Sequence, residues 1–217
     1  MGILDLFKKI DKVLSEPEKP AKPAKRDDYG LAEMKRKEKQ ADKELETLQK
    51  ADKQYYEDND IEKRIAVYES VLNHQPEWNN FSFCLSLLSM YEKAEQFQKA
   101  WAFSNQMISW FTVFPVGDMA KIRYAQFRIL KKEKKYLDAL RMLTLSYIHN
   151  TKFYTLEELQ KKMVKDGKTT AKGAGLTTED LEELAELLKK TADRKKNTEQ
   201  EALRIFKNFA KDKGLLD

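Results

Sequence analysis

The sequence is poor in the residues that build reactive or metal-binding centres. Its 217 residues include one cysteine and two histidines. Cys84 has no partner for an internal disulfide, so we expect a reducing compartment and place the protein in the cytoplasm. His74 and His149 are far apart, and neither has a second ligand residue at helical metal spacing, so we expect no metal site. No run approaches the roughly 18 apolar residues of a membrane span.

Motifs for catalysis are equally scarce. Gly167–Thr169 resembles the end of a phosphate-binding loop, but the full motif requires glycine where Lys162 stands and a strand before it. The acidic pair Glu157 and Glu158 stands at a predicted helix start, where carboxylates favour the helix dipole. We therefore predict a protein that is not an enzyme, needs no cofactor and acts by binding.

Charge is abundant but evenly spread. Charged residues make up 35% of the chain and the net charge is +5, whereas an average soluble domain has about 25% charged residues. A dedicated nucleic-acid-binding protein usually concentrates its basic residues. Nucleic-acid binding stays an alternative, through Lys121 to Lys135 and the basic stretch near Lys35.

The first 30 residues divide into a helix and a linker. In residues 1–14, apolar residues such as Ile3, Phe7 and Ile10 recur at helical spacing, which predicts an amphipathic helix. Residues 15–30 form a linker rich in proline and lysine, because closely spaced prolines preclude a continuous helix. The tethered helix would dock on its own domain, on a partner or on a membrane surface.

The central part of the chain repeats itself. The stretch from Tyr91 to Trp101 shares its apolar, aromatic and small positions with the stretch from Leu130 to Leu140, 39 residues later. A weaker copy begins at Tyr55. Each copy contains two helical patterns around a short polar turn. Periods in this range predict stacked helical hairpins.

These repeats resemble the tetratricopeptide repeat family. The positions that match the family pattern are Tyr55, Tyr91, Leu87, Ala100, Ala139, Tyr68 and Pro76. The sequence departs from it where Arg64 replaces alanine and where Asp52, Leu88 and Phe127 occupy a position for a small residue. The resemblance covers residues 45–154 and implies an all-α, right-handed solenoid of about three divergent helical hairpins.

We therefore predict a repeat domain over residues 31–154, followed by a C-terminal helical cap over residues 155–217. Thr155 and Glu158 form a capping-box pattern that predicts a helix ending near Lys165. Residues 166–175 read as a loop because of their glycines. Further helices are expected from Thr178, where Leu181, Leu184 and Leu188 form a narrow apolar stripe, and after Thr198.

The best binding signal lies on the predicted helix from Met119 to Lys132, where one sector collects cations around an aromatic residue. In the family, the first helix of each repeat lines a concave groove. The resemblance thus implies a peptide-binding groove formed by Lys53, Tyr56, Ser82, Leu85, Ser89, Lys93, Lys121, Tyr124, Arg128, Lys131 and Lys132. We predict a protein-interaction adaptor that binds an acidic peptide or a carboxylate there. Nucleic-acid binding and membrane-surface recruitment through residues 3–14 are the alternatives; the oligomeric state is left open.

Overall fold

The computed structural model describes residues 29–74, 81–110, 116–151, 154–193 and 198–216. The predicted amphipathic helix at 1–14, and the linker up to residue 28, lie outside these described residues. Within them the structure is helical and has no strand, which confirms the all-α prediction. The helices are α1 (Tyr29–Glu57), α2 (Ile61–His74), α3 (Phe81–Lys93), α4 (Phe97–Trp110), α5 (Val116–Lys132), α6 (Tyr136–Asn150), α7 (Leu156–Gly173), α8 (Thr178–Asp193) and α9 (Glu199–Asp212).

The chain forms two compact units, Met1–Trp78 and Asn79–Asp217. In the first unit α1 packs on α2. In the second unit α5 packs on α3, α4 and α6, while α6 continues the packing to α7, α8 and α9. In the second unit, each helix therefore packs against the helices that come before and after it in the chain, except that the first and last helices have a neighbour on one side only.

The same turn joins the two helices of four successive hairpins. In each turn, one residue has a positive φ, and the residue after it donates its backbone N–H to a carbonyl five positions back. This is a Schellman-type helix end, which needs a left-handed residue. The four left-handed residues are Asn59, Glu95, Lys134 and Gly175, with φ values of 54°, 57°, 60° and 81°. The corresponding hydrogen bonds are 2.8 to 2.9 Å long.

The first hairpin shows how its departures from the repeat pattern are accommodated. Asp52 on α1 and Arg64 on α2 form a two-point ion pair, with Arg64 Nε 2.7 Å from Asp52 Oδ1 and Nη2 3.2 Å from Oδ2. The two residues that break the pattern in this copy thus complement each other. In the later copies apolar residues occupy both positions, and Ala100 and Ala139 are fully buried.

The core of the second unit continues into the C-terminal helices. One apolar cluster extends from Phe127 on α5 to Ala210 on α9. Leu181, Leu184 and Leu188, the predicted stripe on α8, are all fully buried. Helices α7, α8 and α9 thus share a hydrophobic core with the helices that precede them.

The prediction of a loop at residues 166–175 is wrong, because α7 continues to Gly173. Two of the glycines that suggested a loop lie in the helix at close contacts. A Cβ on Gly167 would come within 2.9 Å of Leu143, and one on Gly173 within 2.6 Å of the Tyr136 ring. A side chain at Gly173 would therefore displace the Tyr136 ring, and one at Gly167 would displace the ends of two leucine side chains. The start of α7 is as predicted: Thr155 and Glu158 form a complete capping box.

Candidate functional site

The structure divides the predicted groove residues between the two units. Lys53 and Tyr56 lie on α1 in the first unit. Lys53 is exposed, with Glu57 4.0 Å away. Tyr56 is 67% exposed, and the guanidinium carbon of Arg64 lies 4.9 Å from its ring centre. The remaining nine predicted residues lie on α3 and α5 of the second unit.

The four predicted residues of α3 form a stripe with little charge. Ser82, Leu85, Ser89 and Lys93 recur every three or four positions, so they share one side of the helix. Ser82 and Lys93 are exposed, and Leu85 and Ser89 are partly exposed. The stripe carries one charge, on Lys93, and forms an accessible but weakly charged surface.

Two predicted lysines of α5 have local contacts. Lys121 is exposed and lies 3.4 Å from Asp118 on the same helix, and its ammonium group lies 5.5 Å from the ring of Phe81 on α3. The ammonium group of Lys131 lies 5.8 Å from the ring of Phe127. Both cations thus border aromatic rings.

Arg128 and Lys132 share one buried carboxylate from the preceding hairpin. Arg128 donates from Nε to Glu92 Oε2 at 3.0 Å, and its Nη2 lies 2.8 Å from the same oxygen. Lys132 donates to the backbone carbonyl of Glu92 at 3.2 Å, with its ammonium 3.9 Å from Glu92 Oε1. Glu92 thus fixes two cations of α5 against the end of α3.

Tyr124 lies between the cations of two helices. The guanidinium carbon of Arg128 is 5.7 Å from the ring centre, and the ammonium of Lys162 on α7 is 5.5 Å from it. Lys162 is in turn 3.4 Å from Asp166 Oδ2, one turn further along α7. We call the group on α3, α5 and α7 the Tyr124 cluster: Glu92, Tyr124, Arg128, Lys132, Lys162 and Asp166.

The charges of the Tyr124 cluster are layered. The side chains of Arg128, Lys132 and Lys162 are 43%, 44% and 52% exposed. The side chains of Glu92 and Asp166 are only 10% and 16% exposed. A ligand at the surface therefore meets the cations first, while the carboxylates beneath them hold the cations in place.

Electrostatics at Tyr124 reflect this arrangement. Burial raises the pKa of Tyr124 to about 12, and the negative charge and hydrogen bonding of Asp166 add to the rise. Arg128 opposes it, and Glu92 contributes a further increase. The phenol stays neutral throughout the physiological range and acts as a polar, uncharged group among charged neighbours.

Sequence reasoning missed Glu92, Lys162 and Asp166. Lys162 and Asp166 stand four residues apart, a spacing that places them on one face of a helix. Because the helix is predicted to end near Lys165, the sequence analysis leaves Asp166 outside it and does not pair the two residues. Glu92 follows an apolar helix and reads as part of the polar turn. The signal that could have found it is its position 36 residues before Arg128, about one repeat.

The side chains of the Tyr124 cluster are suited to binding a charged ligand. Charge-assisted hydrogen bonds from arginine and lysine suit carboxylates and phosphates. Cys84 is fully buried, and burial raises the pKa of its thiol to about 11, so it is a core residue. Within the described ranges, no three histidine, cysteine or acidic side chains group closely enough to hold a metal ion. None of the helices described is both long and apolar enough to cross a membrane.

Comparison with protein-family models, with curated proteins and with solved structures finds no match for this chain. The resemblance to tetratricopeptide repeats therefore stays a prediction from the sequence. The four shared turns and the layered Tyr124 cluster are the observations from which a function has to be argued.

Proposed function

We propose that this protein is a non-catalytic adaptor whose second unit binds an extended acidic segment of a partner protein at the Tyr124 cluster. The observation that supports this most strongly is the layering of charge, with three half-exposed cations above two carboxylates that are only 10% and 16% exposed. Cations that are already held in position lose little side-chain freedom when a ligand binds, which favours affinity.

We further propose that the hairpins of the second unit stack as a right-handed solenoid of the tetratricopeptide type. The shared turn supports this arrangement, as does the packing of α5 against both helices of the preceding hairpin, α3 and α4. An extended peptide would then follow the direction in which α3, α5 and α7 succeed one another.

A peptide suits this site better than a nucleic acid. Proteins that bind single strands commonly stack bases on aromatic rings. The ring of Tyr124 is partly buried, and Arg128 and Lys162 both lie against it. The carboxylates of Glu92 and Asp166 would also repel a continuous row of phosphates, whereas the acidic groups of a peptide can be spaced to meet the cations.

The proposal is tested by the affinity of the full-length chain for labelled peptides of equal length and increasing glutamate content, measured by fluorescence anisotropy. We expect affinity to rise with glutamate content. Lys162→Gln should weaken binding about tenfold, because a hydrogen bond to a charged group contributes about 1.5–3 kcal/mol. The matched control is Lys161→Gln, which removes an exposed lysine from the adjacent position on α7 and should change little.

Equal losses from the two variants would contradict the assignment of the site. In a second experiment, the affinity of the chain for random single-stranded RNA is measured at low and at moderate salt. Tighter binding of RNA than of any peptide, with an affinity that falls by orders of magnitude as salt rises, would favour nucleic-acid binding instead.

A further inference from the structure

One side of α1 collects positive charge. At about 3.6 residues per turn, nine positions between Lys35 and Glu57 share a sector of about 100°, and all nine residues are exposed. Six of them are cations, two are carboxylates and one is an amide. We call this surface the basic face of α1: Lys35, Arg36, Lys39, Lys43, Glu46, Lys50, Lys53, Gln54 and Glu57.

The other side of α1 packs on α2. Asp52 receives the two-point ion pair from Arg64, and the ammonium group of Lys63 lies 5.5 Å from the ring centre of Tyr55. Neither Asp52 nor Tyr55 belongs to the basic face. Because α1 has 29 residues and α2 has 14, α2 can cover only about half the length of α1. The basic face is thus directed away from α2.

The acidic residues of the basic face leave its cations accessible. Glu46 lies 2.7 Å from Lys50, and Glu57 lies 4.0 Å from Lys53, with side chains that are 64% to 79% exposed. Ion pairs between exposed side chains contribute little, so these lysines can exchange their partners for an external anion. Six cations and two carboxylates give the face a net charge of +4. The cations extend over about 27 Å of helix, from Lys35 to Lys53.

We propose that the basic face of α1 docks the protein on a membrane surface rich in anionic phospholipids. Negative headgroups attract nearby basic residues, and each lysine or arginine raises the partition coefficient about fivefold. Because the six cations share one side of a single helix, they can reach a flat surface at the same time. The proposal does not depend on the peptide site, which belongs to the second unit.

The composition of the face favours adsorption over insertion. Helices that insert into the membrane interface bury an apolar side among the lipids. The basic face has only charged and amide side chains. On this proposal α1 lies on the headgroups, and its attachment is reversible and weakened by salt.

A fluid membrane suits this face better than a nucleic acid. The phosphates of a nucleic acid form a continuous row, and Glu46 and Glu57 would be held against some of them. Lipids diffuse in the plane of the membrane, so anionic headgroups can gather at the cations while neutral headgroups lie opposite the two glutamates. None of the nine residues is aromatic, so the face offers no ring on which a base could stack.

The test is vesicle flotation of the full-length chain. Vesicles of phosphatidylcholine are compared with vesicles that also contain phosphatidylserine, at low and at high salt. We expect binding to the anionic vesicles at low salt, little binding to the neutral vesicles, and release from the anionic vesicles at high salt.

Variants connect this binding to the basic face. Lys39→Gln with Lys43→Gln removes two charges and should lower the partition coefficient about 30-fold, whereas Lys39→Arg with Lys43→Arg keeps the charges and should bind as the wild type does. The matched control, Lys207→Gln with Lys211→Gln, removes two exposed lysines at the same spacing from α9 and should change binding less than about twofold. Glu46→Gln removes a negative charge from the face and should strengthen binding about fivefold. Glutamine is a good helix former, so circular dichroism should be unchanged.

The possible failures are distinct. Equal binding to both kinds of vesicle, or equal losses from the glutamine pairs on α1 and α9, would overturn the membrane proposal and leave the adaptor proposal intact. Displacement of the chain from anionic vesicles by random single-stranded RNA at physiological salt would also overturn it, since a nucleic acid would then be the preferred ligand of the face. If the glutamine pair on α1 weakens the binding of glutamate-rich peptides and Lys162→Gln does not, α1 is the peptide site and both proposals fail together.

Discussion

One carboxylate on the C-terminal helix α9 links this helix to α5 and α6. Removing the charge of this carboxylate should measurably lower the free energy of unfolding. Arg123 on α5 donates to both oxygens of Glu199, at 2.8 Å and 2.7 Å, and His149 Nε2 on α6 lies 2.8 Å from Glu199 Oε1. Burial raises the pKa of Glu199, but hydrogen bonds from His149 and Arg123 outweigh this effect and lower the pKa from 4.5 to about 2.

The size of the effect follows from these values. The interval between 4.5 and about 2 corresponds to roughly 3 kcal/mol, since one pKa unit is worth about 1.4 kcal/mol. The side chain of Glu199 is 30% exposed, so solvent screening reduces its contribution to about 2 kcal/mol. We expect Glu199→Gln to lower the free energy of unfolding at neutral pH by this amount.

The pH dependence gives the sharper check. Because the folded-state pKa of Glu199 is lowered, its stabilising contribution is complete above the unfolded value of 4.5 and is lost as pH falls from there towards 2. Urea unfolding followed by circular dichroism, at a series of pH values, should show the difference between wild type and Glu199→Gln shrinking in that window.

A matched control comes from an exposed ion pair on α6. Arg141 lies 3.1 Å from Asp138, with both side chains about half exposed, so Arg141→Gln should cost less than about 0.5 kcal/mol. The reasoning is refuted if Glu199→Gln costs no more than this control, or if the cost of Glu199→Gln is the same at pH 2.5 as at neutral pH.

Three further predictions concern packing, reactivity and the shared turn. Gly173→Ala should destabilise by about 1–3 kcal/mol in thermal unfolding, because its Cβ would meet the Tyr136 ring; a gain in stability, as for an ordinary helix position, would contradict the close contact. Cys84, fully buried with its pKa raised to about 11, should react with a thiol reagent at pH 8 only in urea, so rapid labelling of the native protein would refute its burial. Lys134→Gly should stabilise by about 1 kcal/mol because its φ is 60°, whereas Lys135→Gly, next to it at φ −84°, should destabilise; the opposite order would refute the turn.

Sequence reasoning reached the helical class and the position of most helices because their signals are local. The capping box at Thr155 and the leucine stripe of α8 each depend on residues within a few turns of one another. The polar residues between the helical patterns predict the shared turn as a short connection. They do not predict its left-handed residues, because Asn59, Glu95 and Lys134 have no side-chain feature in common that would reveal a positive φ.

The missed half of α7 has a physical cause. Its buried face contains Leu159, Met163, Gly167 and Thr170, which recur at helical spacing, but the two that follow Met163 on this face are small. A pattern based on large apolar residues stops at Met163. The helix continues with small residues on this face: a Cβ on Gly167 would come within 2.9 Å of Leu143 and 3.0 Å of Leu181, so the close packing there favours glycine.

The candidate site illustrates a further limit, and also a remedy. A helical wheel for α5 finds Tyr124, Arg128 and Lys132 but cannot show that Glu92, on another helix, pairs with both of the cations. Where a sequence pattern recurs at a fixed offset, opposite charges about that offset apart are candidates for pairing, as Glu92 and Arg128 are at 36 residues. Cations paired in this way stay accessible while their carboxylates are buried. A search for such pairs would therefore select rigid, half-exposed cations, which are better candidates for ligand binding than a run of unpaired surface lysines.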